Sequence, residues 1–359
     1  MNSAKLIFPL LLFSLLCLSF FSCTEKNPVT SDGIDTTLDS ARFSWKTYQF
    51  NDAGFYGGVW AKDTDNVFAV NTSGGYTINM HNNNIVQTSY PGFTALLLTG
   101  IDDNTAYLFG TDGTKNSTSL RAKKWNGSDF EEIAISNKYS IYPAESYFYK
   151  PNEIWIVDSK TRLYKFDGLN TTKYNLTLPN DTNCYMQKIY FDSTVQKLRA
   201  VLLTNLNPSK QDMEFVYFIY DFDGTSWNKV NEFRVPIYDP NTDYIRTKFI
   251  NGYILNKTKR NLTIYNNYTF VQFLHTYEFN INLGVSGYSK NNILVEGNQP
   301  EIKPIDKYYL FHWNGIKWSK EYKGALLGGS LFYTINDKYY VVVHNSGFTG
   351  TTFALGTKK

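Results

Sequence analysis

A short pattern of an aromatic residue, Asn or Asp, and Gly recurs along the chain and constrains its fold more than any other feature. Asn-Gly and Asp-Gly supply the positive φ values of a tight turn between antiparallel strands, so each copy predicts a β-hairpin. Aromatic residues on both sides of such a turn can pack across the strand pair. The copies are Trp125-Asn126-Gly127, Phe166-Asp167-Gly168, Phe222-Asp223-Gly224 and Trp313-Asn314-Gly315, and Trp227 and Trp318 follow the last two turns.

A second pattern precedes each hairpin and extends the repeat to four strands. Polar turns such as Asp63–Asn66 and Asn152-Glu153 are followed by the apolar runs Val67–Val70 and Ile154–Val157. Four short strands in ~40–45 residues are typical of one blade of a β-propeller. No helical period extends over ten or more residues, so the sequence predicts an all-β protein.

The two ends of this repeat region predict how the ring of blades closes. Residues 43–50 form a strand with Trp45 at the position of Trp227 and Trp318, but no turn precedes them. At the other end, the runs 330–335, 339–344 and 351–355 give a unit that lacks its last strand. Pairing the two would remove open sheet edges. We therefore predict a propeller of seven four-stranded blades, rather than six or eight, over residues 41–359. Within it, the turn glycines and the repeat aromatic residues named above have structural roles.

The first repeat also resembles a known family pattern. Residues 57–70 (GGVWAKDTDNVFAV) and 74–78 (GGYTI), together with the Trp-Asn-Gly turns, resemble repeats of bacterial surface and secreted proteins. The resemblance implies a β-propeller and does not imply an activity.

The N-terminus has the features of an export signal. Lys5 is followed by a mostly apolar run over residues 6–21, which is short for a membrane span. The run ends in Phe20-Phe21-Ser22-Cys23, which resembles the lipobox of bacterial lipoproteins. The resemblance implies cleavage before Cys23, lipidation of Cys23 and attachment to a membrane. Secretion after cleavage near Ser22 and an uncleaved anchor are the alternatives.

This interpretation predicts three segments: a lipoprotein signal peptide (1–22), a flexible tether (23–40) and the propeller. Residues 24–37 are polar, contain Pro and Gly and lack periodicity, as a tether would. The expected location is the bacterial cell envelope, at the outer membrane or cell surface rather than the inner membrane.

Composition and motifs argue against several functions. The 35 Lys and Arg against 32 Asp and Glu give a net charge of +3, too low for a nucleic-acid groove. After removal of the signal and lipidation of Cys23, Cys184 is the one remaining thiol, and we expect it to be structural. The four histidines are His81, His275, His312 and His344. They lie in different repeats, and none of them has the spacing to another histidine that a metal site requires. We predict no metal, no cofactor and no catalytic residue.

The function expected from these features is binding. An anchored repeat scaffold without a catalytic set favours a non-catalytic, monomeric module that binds an envelope protein or a glycan. The alternative is a propeller enzyme, a glycoside hydrolase or lyase acting on polysaccharide, and a third possibility is a subunit of an envelope assembly. The enzyme would require carboxylates with raised pKa values in the central pocket, whereas an aromatic lining would favour binding.

Overall fold

The computed structural model describes residues 40–359 except for short stretches, most of them in loops. The stretches outside the description are 51–55, 64, 73–74, 82–83, 101–104, 113–118, 137–138, 142, 151, 159–161, 179–183, 194, 207–213, 237, 240–242, 245, 251–252, 258–260, 267–268, 277–279, 299–307, 325–329, 335–337 and 346–350. The predicted signal peptide, Cys23 and nearly all of the tether lie outside the described residues. Those described belong to one compact unit.

The described chain is built from thirty β-strands, and none of its residues is in a helix. Within this part, no helix is long and apolar enough to span a membrane. In chain order the strands are β1 Phe43–Phe50; β2 Tyr56–Asp63, β3 Asn66–Asn71, β4 Tyr76–His81, β5 Asn84–Ser89; β6 Thr94–Thr99, β7 Tyr107–Thr111, β8 Leu120–Trp125, β9 Phe130–Ile133; β10 Pro143–Lys150, β11 Glu153–Asp158, β12 Leu163–Phe166, β13 Thr171–Tyr174; β14 Cys184–Asp192, β15 Lys197–Leu206, β16 Glu214–Phe222, β17 Trp227–Pro236; β18 Tyr238–Asp239, β19 Asp243–Tyr244; β20 Arg246–Ile250, β21 Tyr253–Lys257, β22 Asn261–Asn266, β23 Thr269–His275; β24 Asn280–Ser289, β25 Asn292–Asn298, β26 Tyr308–Trp313, β27 Trp318–Gly324; β28 Ser330–Thr334, β29 Tyr339–Asn345, β30 Thr351–Lys358.

The predicted architecture of seven blades needs a correction, because the repeat itself forms six. Each of these six blades is an antiparallel sheet of four consecutive strands from one continuous segment: β2–β5, β6–β9, β10–β13, β14–β17, β20–β23 and β24–β27. A further four-stranded sheet has the order β1-β30-β29-β28 and belongs to no single segment. We call it the composite sheet. Because its strands come from both ends of the chain, this sheet holds the two ends together and closes the ring of sheets.

The composite sheet joins residues that are about 300 positions apart. β1 pairs with β30 along its whole length, with Trp45 opposite Gly356 and Tyr48 opposite Phe353. The Trp45 ring lies directly over Gly356, where a Cβ atom would come within 2.8 Å of it. A side chain at position 356 would therefore displace the Trp45 ring.

A short two-stranded sheet adds a feature that the repeat did not predict. β18 pairs with β19 in the connection between the blades β14–β17 and β20–β23.

Apolar residues between neighbouring sheets form the core. One cluster joins Val67 and Ile78 of the first blade to Val341 and Phe353 of the composite sheet. Because each blade buries both faces against its neighbours, its central strands are apolar on both sides, as the fully buried run Ile154–Val157 shows.

The aromatic residues beside the turns pack mainly between blades. Trp155, on the second strand of its blade, contacts Phe222 and Trp227 of the next blade, with ring centroids 4.8 and 5.2 Å apart. Phe68 contacts Trp125 of the following blade in the same way, at 4.8 Å. The turn aromatics therefore connect consecutive blades as well as the two strands of their own hairpin.

The four Asn-Gly and Asp-Gly turns share one geometry. Their glycines Gly127, Gly168, Gly224 and Gly315 have φ values of 103°, 99°, 102° and 96°. In each turn the Asn or Asp side chain accepts hydrogen bonds from the backbone N–H groups two and three residues later. The side chain thus fixes the turn, and glycine supplies the left-handed backbone conformation.

All four turns lie on one side of the propeller. In each blade, the turn between the first and second strands lies on the same side as the turn between the third and fourth strands. In the blade β24–β27, Gly315 of the second of these turns accordingly lies against Asn291 of the first. Contacts between neighbouring blades also join residues close to these turns, such as Trp155 and Trp227. We call this side the hairpin face and define it by the turns Asn126–Asp129, Asp167–Asn170, Asp223–Ser226 and Asn314–Lys317.

Candidate binding site on the inner strands

The first strand of each blade is the innermost strand and contacts the first strand of a neighbouring blade. Contacts of this kind join β2 to β6, β6 to β10, β10 to β14, β20 to β24 and β24 to β28. Each first strand pairs with one strand of its own sheet and has no second partner strand among the described residues. The inner edges of these strands surround the propeller axis, where ligands of such folds can reach several blades at once.

Half-buried aromatic residues concentrate on β10 and β14. The N–H of Phe191 on β14 donates a hydrogen bond to the Tyr147 hydroxyl on β10, at 3.1 Å. The Tyr149 ring lies 5.3 Å from the Phe191 ring, at an angle of 35° between the ring planes. Tyr147 therefore satisfies one backbone donor of β14, and its own hydroxyl hydrogen can be donated to another group.

One ion pair borders this aromatic group. Lys188 Nζ on β14 lies 3.9 Å from a carboxylate oxygen of Glu145 on β10, and both side chains are partly exposed. Lys150, at the end of β10, lies over the Tyr149 ring at 5.2 Å and pairs with Glu153 at 3.2 Å. We call Glu145, Tyr147, Tyr149, Lys188 and Phe191 the inner-strand cluster.

Two tyrosines on inner strands are well exposed. Tyr185, near the start of β14, keeps 58% of its surface accessible, and Tyr288, near the end of β24, keeps 43%. Burial raises the pKa of Tyr147, and the neighbouring phenols of Tyr149 and Tyr288 raise it further. Phenol rings that are exposed at one end and packed at the other are common in protein–ligand interfaces.

The acids whose pKa values are clearly shifted lie away from the inner strands, and all are shifted downward. Hydrogen bonds from Arg121 lower the pKa of Glu132, and hydrogen bonds from Lys229 and Arg234 lower the pKa of Glu232. Backbone N–H groups lower the pKa values of Asp167 and Asp223 in their turns. A general acid near neutral pH requires a shift in the opposite direction.

The structure does not bring the residues predicted from the sequence together into one site. The turn glycines lie in separate blades on the hairpin face, and the repeat aromatics lie between blades or beside the turns. The four histidines lie in four different sheets. Cys184 is partly buried at the start of β14, packed on an apolar cluster. Among the described residues, no group of three or more His, Cys, Asp or Glu side chains could hold a metal ion.

Sequence reasoning did not identify the inner-strand cluster. Three of its residues lie on β10, Pro143–Lys150, and the other two on β14, Cys184–Asp192, and neither strand contains one of the Asn-Gly or Asp-Gly turns. A possible signal was the density of aromatic residues at 147–149, since alternating strands of this fold seldom place three in succession. The contact with Phe191 links residues 44 positions apart, and no local pattern predicts it.

A buried polar group at the composite sheet contains His312. The Nε2 atom of His312 lies 2.7 Å from Asn292 Oδ1, and the Tyr340 hydroxyl donates to the same oxygen at 2.5 Å. The Phe43 ring covers His312, with centroids 4.9 Å apart. Burial, assisted by the charges of Lys358 and Arg42, lowers the pKa of His312 to about 4. The imidazole is therefore neutral in the folded protein at pH 7.

We expect this histidine to make the stability depend on pH. Between about pH 6.5 and about pH 4 the unfolded chain binds a proton at His312 and the folded chain does not. The free energy of unfolding therefore falls by up to about 3 kcal/mol as the pH decreases through this range. Above pH 6.5 the imidazole is neutral in both the folded and the unfolded chain, so the protein keeps this stability in full. Urea unfolding at pH 7 and pH 4.5 should therefore show a smaller difference for His312→Gln than for the unsubstituted chain. Equal differences would show that His312 is protonated in the folded state.

Comparison with known proteins finds similarity at the level of the fold. No family model and no curated protein matches the chain. Among solved structures, "YCF48 bound to D1 peptide" is 10% identical, with a TM-score of 0.57, covering 90% of this chain and 98% of that chain. "YCF48 from Cyanidioschyzon merolae" is 14% identical, with a TM-score of 0.53, covering 88% and 98%. Together with the sheet topology, these similarities show that the chain has a β-propeller fold.

Proposed function

We propose that this protein is a lipid-anchored propeller of a bacterial cell envelope that binds another molecule through its inner strands without altering it chemically. The ligand class that we favour is an extended segment of a protein. The observation that carries the proposal is the inner-strand cluster, together with the exposed rings of Tyr185 on β14 and Tyr288 on β24, which are also inner strands. The protein acts as a monomer and requires no cofactor.

The chemistry of the cluster supports binding. Tyr147, Tyr149 and Phe191 offer ring faces for stacking, and the Tyr147 hydroxyl and the Glu145–Lys188 pair offer polar contacts that orient a ligand. Inner strand edges can also form hydrogen bonds to an extended peptide backbone. A peptide is bound to YCF48 in one of the similar structures, which shows that a protein of this fold can take such a ligand.

The polysaccharide enzyme considered from the sequence has less support. A glycosidase uses two carboxylates that flank the scissile bond. In the inner-strand cluster, Glu145 is the one carboxylate, and Lys188 lies beside it.

Membrane attachment is proposed on the sequence alone. The lipobox-like residues Phe20–Cys23 and the polar stretch that follows support a lipid on Cys23 and a tether before the propeller. Mass spectrometry of the N-terminal peptide tests this part separately. An unmodified Cys23 in protein isolated from a bacterial envelope would contradict it.

Tyr185→Ala is the sharpest test of the binding site. Tyr185 is mostly exposed, so its removal should leave the folded state intact, whereas loss of an aromatic contact to the ligand typically weakens binding about 30-fold. Peptides would be selected from a random display library on the purified chain, and their affinity measured by fluorescence anisotropy. A glycan array run in parallel would identify a sugar ligand instead.

Val230→Ala is the matched control, because Val230 is similarly exposed but lies on the outer strand β17. It should bind the selected peptides as the unsubstituted chain does. If neither peptides nor glycans are enriched, or if both variants bind equally well, the inner strands are not the binding site.

A further inference from the structure

The outermost strand of each four-stranded sheet has one edge without a partner strand among the described residues, and these strands are β1, β5, β9, β13, β17, β23 and β27. β17, β23 and β27 each have a β-bulge against the strand beside them. β1, β9 and β13 carry charged residues, which are Lys46, the pair Glu131 and Glu132, and Lys173. Bulges and charges both discourage the addition of a further strand.

β5, the outermost strand of the first blade, has neither of these features. Its sequence, NIVQTS over Asn84–Ser89, contains no charged residue and no proline. It pairs with β4 along its whole length without a break in register. Ile85 keeps 42% and Val86 keeps 54% of its surface accessible, and successive residues of a strand point to opposite faces. β5 is therefore a regular, uncharged edge with one exposed aliphatic side chain on each face.

Backbone groups on alternate residues of β5 point away from β4. His81 and Asn84 pair across the turn that joins the two strands, and a pair that closes a hairpin over two residues exchanges both backbone hydrogen bonds. Because this pattern alternates along an antiparallel ladder, Ile85, Gln87 and Ser89 direct their N–H and C=O groups to the open edge. A strand added there would find donors and acceptors in regular order.

We propose that β5 binds an extended, uncharged segment of another protein, which adds to the first blade as a fifth strand. The segment carries apolar residues opposite Ile85 and Val86, because cross-strand neighbours on the same face pack against each other. A charge at these positions is disfavoured, since β5 has none to pair with it. The site lies on the outer edge of the first blade, whereas the inner-strand cluster belongs to two other blades.

The size of the edge argues for a segment of a partner rather than for a second copy of the propeller. A standard interface between folded proteins takes about 20–30 residues from each side. β5 offers only the residues 84–89, and two propellers that meet through their outer edges would share little else. An extended segment needs no larger area, because the main-chain hydrogen bonds of an added strand supply its affinity.

Binding would be measured by fluorescence anisotropy with a labelled peptide of alternating Thr and Val residues between Gly-Ser ends. The same peptide with alternate amides N-methylated cannot form the ladder and should not bind. Val86→Lys replaces an apolar contact by a charge and should weaken binding about tenfold. Gln87→Pro removes one outward N–H without breaking a hydrogen bond to β4 and should weaken binding about fivefold, the value of one net hydrogen bond.

Val230→Lys is the matched control, because Val230 is similarly exposed but lies on the bulged strand β17. This variant should bind the peptide as the unsubstituted chain does, and so should Tyr185→Ala, because the inner strands are not involved. Urea unfolding should show that Val86→Lys and Val230→Lys are equally stable. Equal affinities for these two lysine variants, or no binding of the unmethylated peptide to the unsubstituted chain, would overturn the proposal. Weaker binding by Tyr185→Ala alone would place the peptide on the inner strands and would also overturn it.

Amide hydrogen exchange measured by NMR gives a second and independent test. When the peptide binds, the N–H groups of Ile85 and Gln87 should exchange more slowly, whereas those of Val86 and Thr88, which already bond to β4, should change little. Unchanged exchange at Ile85 and Gln87 would show that no strand is added at this edge. A dimer of the unsubstituted chain that Val86→Lys dissociates in sedimentation experiments would contradict the choice of a partner segment and identify a second copy as the occupant.

Discussion

Glu321→Ala is expected to lower the free energy of unfolding by about 4 kcal/mol, because the substitution leaves backbone donors of the first strand without an acceptor at a buried site. The N–H of Phe43 donates to Glu321 at 2.9 Å, and the N–H of Arg42 donates to both carboxylate oxygens at 3.0 and 2.9 Å. The Ser319 hydroxyl donates to the same carboxylate at 2.5 Å. Urea unfolding at pH 7 measures the loss. Limited proteolysis should also cut the variant faster near residue 42.

Two substitutions distinguish this role from a general effect of losing an acid. Glu321→Gln keeps one carbonyl acceptor and should lose less stability than Glu321→Ala. Glu131→Ala removes an exposed acid on β9, the outermost strand of another blade, and should change the stability by no more than about 0.5 kcal/mol. If Glu321→Ala and Glu131→Ala were equally stable, Glu321 would not hold β1 in place.

Trp155→Ala is expected to cost about 3–5 kcal/mol, because it opens a large cavity between two blades. Trp155 is fully buried and its ring contacts those of Tyr174, Phe222 and Trp227, with centroids 4.8 to 5.2 Å apart. Its Nε1–H also donates to Glu153 at 3.1 Å. Calorimetry or urea unfolding measures the loss.

Trp313→Ala provides the comparison, since Trp313 is only half-buried at the edge of its turn. It should cost clearly less than Trp155→Ala, although both substitutions remove an indole. Trp155→Phe should recover part of the stability because it keeps a ring in contact with Phe222 and Trp227. A Trp155→Ala variant that is as stable as Trp313→Ala would mean that the two blades repack around the lost side chain.

Local turn chemistry made the strands and their grouping predictable. An aromatic residue followed by Asn-Gly or Asp-Gly predicted hairpins, and the four turns at Gly127, Gly168, Gly224 and Gly315 have the positive φ that such turns need. The all-β propeller is confirmed by the sheet topology. The predicted pairing of residues 43–50 with the C-terminal strands is confirmed, but the count of seven blades was wrong, because the shared sheet was counted as a blade of the repeat, which forms six.

The candidate site was less predictable because its contacts are not local. Phe191 and Tyr147 meet only when two blades are placed side by side, and Glu321 meets Arg42 across 279 positions. Tyr and Phe are also the residues that fill the space between blades, so composition alone did not separate a binding surface from the core. The insertion β18–β19 follows no repeat and therefore left no periodic signal.

The pairing of β1 with β30 affects the order in which the protein folds. Residues 43–50 are synthesised about 300 residues before their partner strand, residues 351–358. Joining such distant segments is entropically costly and slow. Until that moment the chain has an unfinished ring with unpaired edges. The propeller is therefore expected to complete its folding only after residues 351–358 are available to pair with β1.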